Sequence, residues 1–180
     1  MKAVLISIQP KWVDKIANGK KTIEVRKSRP KLETPFKVYI YCTYGNAKEN
    51  YCVGKRGKVI GEFVCDSFYG LNNFLPYDGE DCHHSVMQGV LEQTCLEDYE
   101  IDEYLGKKDG YGWHISDLKI YDKPKELGEF KKENVCYKSG DWETLGCWEG
   151  GCVHQELGEC DGRCSVLYRP PQNWCYVEAK

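Results

Sequence analysis

The chain has 180 residues, 41% hydrophobic and 29% charged, with a formal net charge of −3. That length can bury the core of one compact domain, and that balance is ordinary for a soluble globular protein. No run of about 18 apolar residues occurs, which excludes a membrane-spanning helix of ordinary length.

In chain order, residues 2–8 (Lys2-Ala3-Val4-Leu5-Ile6-Ser7-Ile8) read as a buried first strand. They lack a cleavage site and do not read as a signal peptide, so a cytoplasmic location is expected. Residues 10–18 form a predicted helix. Pro10 suits its first position, Trp12, Val13 and Ile16 share a face, and Gly19 is its stop. Residues 22–27 alternate as a strand, which puts Glu24 and Arg26 on one face with Lys21 at the turn before it. Residues 37–42 and 58–66 are further predicted strands. Between Asp66 and Gly112 the pattern breaks up; short helices are expected over 85–95 and 96–105, then a turn over 106–110. Residues 113–121 alternate as a strand ended by Pro124, 126–130 form a short docking segment, and 173–178 are the last strand. Six strands with few helices predict one α+β domain over 1–180: a small, mostly antiparallel β-barrel with short flanking helices. Two inserts interrupt it, an acidic one over 66–112 and a Cys-rich irregular one over 132–168.

The small net charge conceals a division. Residues 1–60 hold 14 Lys or Arg against 4 Asp or Glu, whereas 61–105 hold eleven acids and no Lys or Arg. A basic face is the footprint of a phosphate-backbone binder. Its candidate residues are Lys11, Lys15, Lys20, Lys27 and Arg29. The competing reading is internal: the acidic insert folds back and neutralises that face. The insert is also a candidate surface for a protein partner.

The octapeptide Gly19-Lys20-Lys21-Thr22-Ile23-Glu24-Val25-Arg26, following a short helix, resembles the signature of the ASCH domain, a relative of the PUA RNA-binding fold. Ser7 to Trp12, Gly57 to Phe63, Gly112 to Ile115 and Pro170 to Val177 resemble further segments of that family in the same order. The last is similar to the closing segment of ASCH proteins met in phages and prophages of Gram-positive bacteria. The resemblance implies a PUA-like barrel with a cleft for a nucleotide, a modified base or RNA. It places Lys21, Glu24, Arg26, Lys27, Trp113 and His114 at the ligand. Lys21 and Arg26 have the chemistry to hold a phosphate or polarise a carbonyl. Glu24 can accept hydrogen bonds from an exocyclic amine or move a proton. Trp113, Tyr41, Tyr44 and Trp174 are candidate stacking surfaces, with a core role as the alternative for both tryptophans. One branch of the family deacetylates N4-acetylcytidine with the motif lysine as nucleophile, and another is a ribonuclease. Lys21 matches that lysine, while Glu24 stands where that branch has threonine. The resemblance therefore leaves three functions open. They are an RNA- or nucleotide-binding module, a small hydrolase of acylated nucleosides or RNA with Lys21 and Glu24 catalytic, and a phage regulator of a host protein. Binding is the favoured one.

Eleven cysteines are many for a chain without a secretory signal, where disulfides are not expected. Cys42, Cys65 and Cys175 lie in strand patterns and read as core residues. Cys147, Cys152, Cys160 and Cys164 crowd into a glycine-rich stretch with almost no aliphatic core of its own. Four thiolates at that spacing suit a structural tetrahedral zinc, with His154 or Cys136 as alternative ligands. Cys82-His83-His84 is a weaker candidate. Elemental analysis of protein purified without chelator is expected to give about one zinc per chain. Metal-free protein in which all eleven thiols titrate freely contradicts the assignment.

Overall fold

The largely apolar run at the start of the chain becomes β1 (Lys2–Ile8), and Ala3 to Ile6 are continuously apolar because both faces of the strand are buried. Val4, Ile6 and Ile8 point into the main core with Val38, Ile40 and Phe63. Ala3 and Leu5 point into a second core with Tyr39, Tyr41 and Phe130. The computed structural model describes residues 2–45, 50–73, 84–85, 88–106, 108–132, 167 and 169–180. After β1 come α1 (Pro10–Ala17), β2 (Ile23–Arg26), β3 (Phe36–Cys42), β4 (Lys58–Cys65), β5 (Phe68–Asn73) and β6 (His84–Ser85). Then follow α2 (Gln88–Thr94), α3 (Asp98–Leu105), β7 (Gly110–His114), β8 (Ser116–Lys125), a 3-10 turn (Leu127–Glu129) and β9 (Trp174–Glu178).

Among the described residues the strands pair into two sheets rather than one closed barrel. The first has the order β8-β4-β3-β1-β9 and the second β2-β7-β5-β6. β1 and β3 run parallel, with Val4 opposite Val38 and Ile8 opposite Cys42. All other strand pairs are antiparallel. Such a parallel neighbour needs a crossover, and α1 with β2 supplies it.

The chain changes sheets at Ile115, which explains why the expected single strand over 113–121 is two. β7 pairs with β2 and β5, β8 pairs with β4, and Asp117 adopts a left-handed φ of 45° just past the corner. Pro124 does not end β8. Among the described residues that strand pairs with β4 alone and forms the sheet edge, where a missing N–H costs no ladder bond. β5 escaped the sequence pattern because Gly70, Asn72 and Asn73 are poor strand formers. Its pairing with β7, Phe68 opposite Trp113 through Leu71 opposite Gly110, holds it in place.

α1 ends as expected: Gly19 takes φ 68°, and its N–H caps Ile16 O at 2.9 Å. Val13 and Ile16 anchor the helix on the main core, which leaves Trp12 at its margin. α2 and α3 cover one face of the second sheet, where Val90, Ile101 and Leu105 meet Ile23, Val25 and Leu71. The other face of β2 points towards the first sheet, and a cleft opens there.

Candidate functional site

Three ionisable side chains share the floor of this cleft. A turn delivers the first: the N–H groups of Lys20 and Lys21 both donate to Lys15 O, at 2.9 and 3.1 Å, and the chain swings inward. Lys21 Nζ then donates to Thr94 O at 2.6 Å and lies 3.4 Å from Glu24 Oε2. Glu24 Oε1 is 3.0 Å from the Arg26 guanidinium. Arg26 donates to Ser7 O at 2.6 Å and to Asn173 Oδ1 at 3.1 Å. Lys21, Glu24 and Arg26 are only 2%, 5% and 8% exposed. Charges at that depth are tolerated only when paired, and removing one partner from such a set typically costs about 3–5 kcal/mol.

The pairing is incomplete in an informative way. Glu24 Oε2 accepts no hydrogen bond, and Arg26 Nε donates none. Glu24 Oε2 keeps only its ion pair to Lys21 Nζ, so both residues of the floor retain unused hydrogen-bonding capacity. Burial pushes the Lys21 amine below its ordinary pKa of 10.5, and the Glu24 carboxylate opposes that shift.

The cleft has a volume of about 1220 Å³. Its walls come from four places: Gln9 and Trp12 at α1, Thr43 after β3, Leu96 to Tyr104 around α3, and Pro170 to Asn173 before β9. Trp12 is half-buried, with Lys11, Lys15 and Lys21 Nζ at 4.3, 5.0 and 5.2 Å from its ring centre. Across the cleft stand Glu100 and Glu103, beside Tyr104 with Lys27 Nζ 5.1 Å from its ring centre. The acidic segment therefore folds back on part of the basic face. The cleft is mixed in charge within, while Lys20, Lys27 and Arg29 are exposed and Lys11 and Lys15 half-exposed around it.

Of the residues expected at the ligand, Lys21, Glu24, Arg26 and Lys27 come together in this cleft. Trp113 and His114 do not. Trp113 is fully buried in the main core, edge-on to Phe36 and Phe68 at 6.1 and 5.7 Å. His114 points elsewhere and holds Asp66 Oδ1 at 2.6 Å. Their strand pairs with β2 directly, Glu24 opposite Trp113, so it lies beside the floor and does not form the facing wall. Among the other stacking candidates, Tyr41 belongs to the second core, Trp174 packs against Trp113 and Tyr176, and Tyr44 is exposed. Trp12 is the aromatic that sequence reasoning missed, because its helical spacing with Val13 and Ile16 reads equally as core. Asn173 and Ser7 were missed as partners of Arg26, since only tertiary structure brings them there.

Cys42 and Cys65 are buried core residues as expected, and burial pushes both thiols up to about 12. Cys175 is half-buried. Cys147, Cys152, Cys160, Cys164, Cys136, His154, Cys82 and His83 lie outside the described residues. Among the described residues no group of three or more His, Cys, Asp or Glu could hold a metal, and no helix is long and apolar enough to cross a membrane.

The ASCH domain family model matches residues 6–66. That span runs from the end of β1 to the end of β4 and contains the whole charged floor. The fold is similar to the crystal structure of ASCH from Zymomonas mobilis, with a TM-score of 0.55 and 16% identity over 98% of this chain and 87% of that one. A tyrosine-to-phenylalanine variant of the same Zymomonas mobilis protein matches at a TM-score of 0.55 and 16% identity, over 99% of this chain and 91% of that one. No curated protein matches. Residues 6–66 thus match the ASCH domain model, and the fold of the chain is similar to that of solved ASCH proteins.

The lowered pKa of Lys21 has a testable sign. Its proton is held less tightly in the folded than in the unfolded chain. Between the folded value and 10.5 the unfolded state binds more protons, so stability rises with pH there. Urea unfolding of wild type and Lys21→Met is expected to show the wild type gaining relative stability as pH climbs towards 10.5. Ionising thiols other than Cys95, whose charge reaches Lys21, affect both proteins alike, so Cys95 is replaced by Ser in both. A difference that stays flat over this range contradicts the assignment.

Proposed function

We propose that this chain is an RNA- or nucleotide-binding module, which takes a base into the cleft and holds the backbone at its rim. One observation carries the reading. Glu24 and Arg26, ion-paired to each other and each with an atom that makes no hydrogen bond, lie on the floor of a cleft whose margin is an aromatic ring surrounded by three ammonium groups. A carboxylate oxygen suits an exocyclic or ring N–H of a base, and a guanidinium N–H suits its carbonyl. Trp12 offers a face for stacking. Glu100 and Glu103 repel phosphate from the interior, whereas Lys11, Lys15, Lys20 and Lys27 attract it outside. Base inside and phosphate outside is the orientation these charges favour.

Titration of a fluorescent single-stranded ribo-oligonucleotide tests the proposal. With about six phosphates engaged, affinity is expected to fall by two to three orders of magnitude between 50 and 200 mM salt. Changing Lys11, Lys15 and Lys27 together to Glu is expected to abolish binding while the protein stays folded, because these side chains are at least partly solvated. Binding that ignores salt, or no binding to any RNA or DNA, overturns the reading and favours a protein partner on the acidic surface.

A second reading rests on Lys21 itself. An amine whose pKa is lowered by burial, ion-paired to a carboxylate in the same cleft, is chemically equipped as a nucleophile or proton carrier. The corresponding substrate is an acylated nucleoside such as N4-acetylcytidine. Turnover by wild type and its loss in Lys21→Ala would establish this reading. Undiminished binding with no turnover leaves the module non-catalytic. A zinc held by Cys147, Cys152, Cys160 and Cys164 is proposed as a structural cofactor only, independent of either chemistry.

A further inference from the structure

The cleft is larger than the roughly 300–1,000 Å³ of ordinary small-molecule pockets. It is also not the end of the basic track. Past Lys27, residues 28–35 leave β2 as a loop and line a second pocket of about 610 Å³, with Phe68 at its side. The Arg29 guanidinium sits there against two aromatic rings, 5.4 Å from the centre of Phe68 and 5.5 Å from that of Tyr111. Arg29 is exposed, while both rings are half-buried, so the guanidinium is fixed from beneath and presented outward.

The loop that carries it is tied down on both sides of Arg29. Ser28 Oγ accepts from Trp174 Nε1 at 3.2 Å and from Asn173 Nδ2 at 3.5 Å. Lys31 N–H donates to the Tyr176 hydroxyl at 2.8 Å. Asn173 is also the partner of Arg26 on the cleft floor. The two pockets therefore share one set of anchors, and only Ser28 separates the cleft residue Lys27 from Arg29.

We propose that residues 29–34 and Phe68 form a second nucleotide subsite, so that the ligand is a single-stranded RNA segment of at least two nucleotides rather than a free nucleoside. This rests on the reading of the cleft as a base-binding site. The Arg29 guanidinium, held over Phe68 and Tyr111, offers its outer face to the next base, and its N–H groups to the phosphate between the two bases. Lys27 and Lys31 flank that phosphate path.

The test is a length series. Cytidylate, uridylate and adenylate ribo-oligomers of one, two, three and six residues are titrated against wild type, Arg29→Ala and Arg29→Lys at fixed low salt. For the series that binds, affinity is expected to rise about tenfold or more from one residue to three. Arg29→Ala is expected to lose most of that rise and to leave the mononucleotide affinity unchanged. It should also reduce the salt slope of the three-residue ligand by about one contact. Arg29→Lys keeps the charge but not the planar stack, and is expected to restore the salt slope without restoring the affinity. Affinity independent of length, or equal losses for one and three residues in Arg29→Ala, overturns the second subsite while leaving the cleft reading intact. Full rescue by Arg29→Lys overturns the stacking role. No binding by any ligand in the series overturns the cleft reading and the subsite with it.

Discussion

The rest of this structure depends on the guanidinium of Arg26. It extends from the edge strand of one sheet, donates to the backbone of β1 and the side chain of Asn173 in the other, and is neutralised by Glu24. The aromatic core beneath, Phe36, Phe68, Trp113 and Trp174, supplies non-directional attraction between the layers. That attraction fixes no register. A forked set of charged hydrogen bonds does, because a small slip breaks several at once. Lys21 extends the same device to the end of α2 through Thr94 O. The floor of the cleft is thus also the clamp that sets its width.

This double role explains the depth at which the charges sit. Desolvation is costly, and a purely structural clamp would be expected to satisfy every polar atom. Here one carboxylate oxygen, held only by its ion pair to Lys21, and one guanidinium nitrogen make no hydrogen bond. A recognition surface has reason to keep such atoms free, since a ligand that matches them gains hydrogen bonds in a low-dielectric place. The surrounding contacts fix the open atoms in position, so little ordering cost remains for the ligand to meet.

Much of this was legible in the sequence, but unevenly. Period-two alternation over 22–27 placed Glu24 and Arg26 on one face, and Gly19 marked the turn that presents Lys21. Those are local rules, and they held. The facing wall was not legible, because it is assembled from α3 and from residues 170–173, which lie far from the motif in the chain. Trp113 illustrates the limit in the other direction. Its alternating position in β7 is compatible with a cleft or with the core, and only the packing of Phe36 and Phe68 around it decides. The strand count was low because β5 contains a glycine and two asparagines, and because a corner at Ile115 leaves no trace in hydrophobic alternation. Charge segregation was visible as composition, yet its meaning lay in where Glu100 and Glu103 fold.

The cleft's two halves come from different parts of the chain. The span matched by the ASCH model ends at residue 66 and contains the charged floor, Trp12 and Thr43. Leu96, Glu100, Glu103, Tyr104 and the Pro170–Asn173 stretch, which form the opposing walls, all lie beyond it. Most of the wall is therefore separate in sequence from the floor. Substitutions at Leu96, Glu100, Glu103 or Tyr104 can retune size, charge and shape of what is admitted without touching the Arg26 clamp, whereas Asn173 belongs to both. Two proteins that share the motif need not share a ligand, and the motif alone is a poor guide to what any one of them recognises.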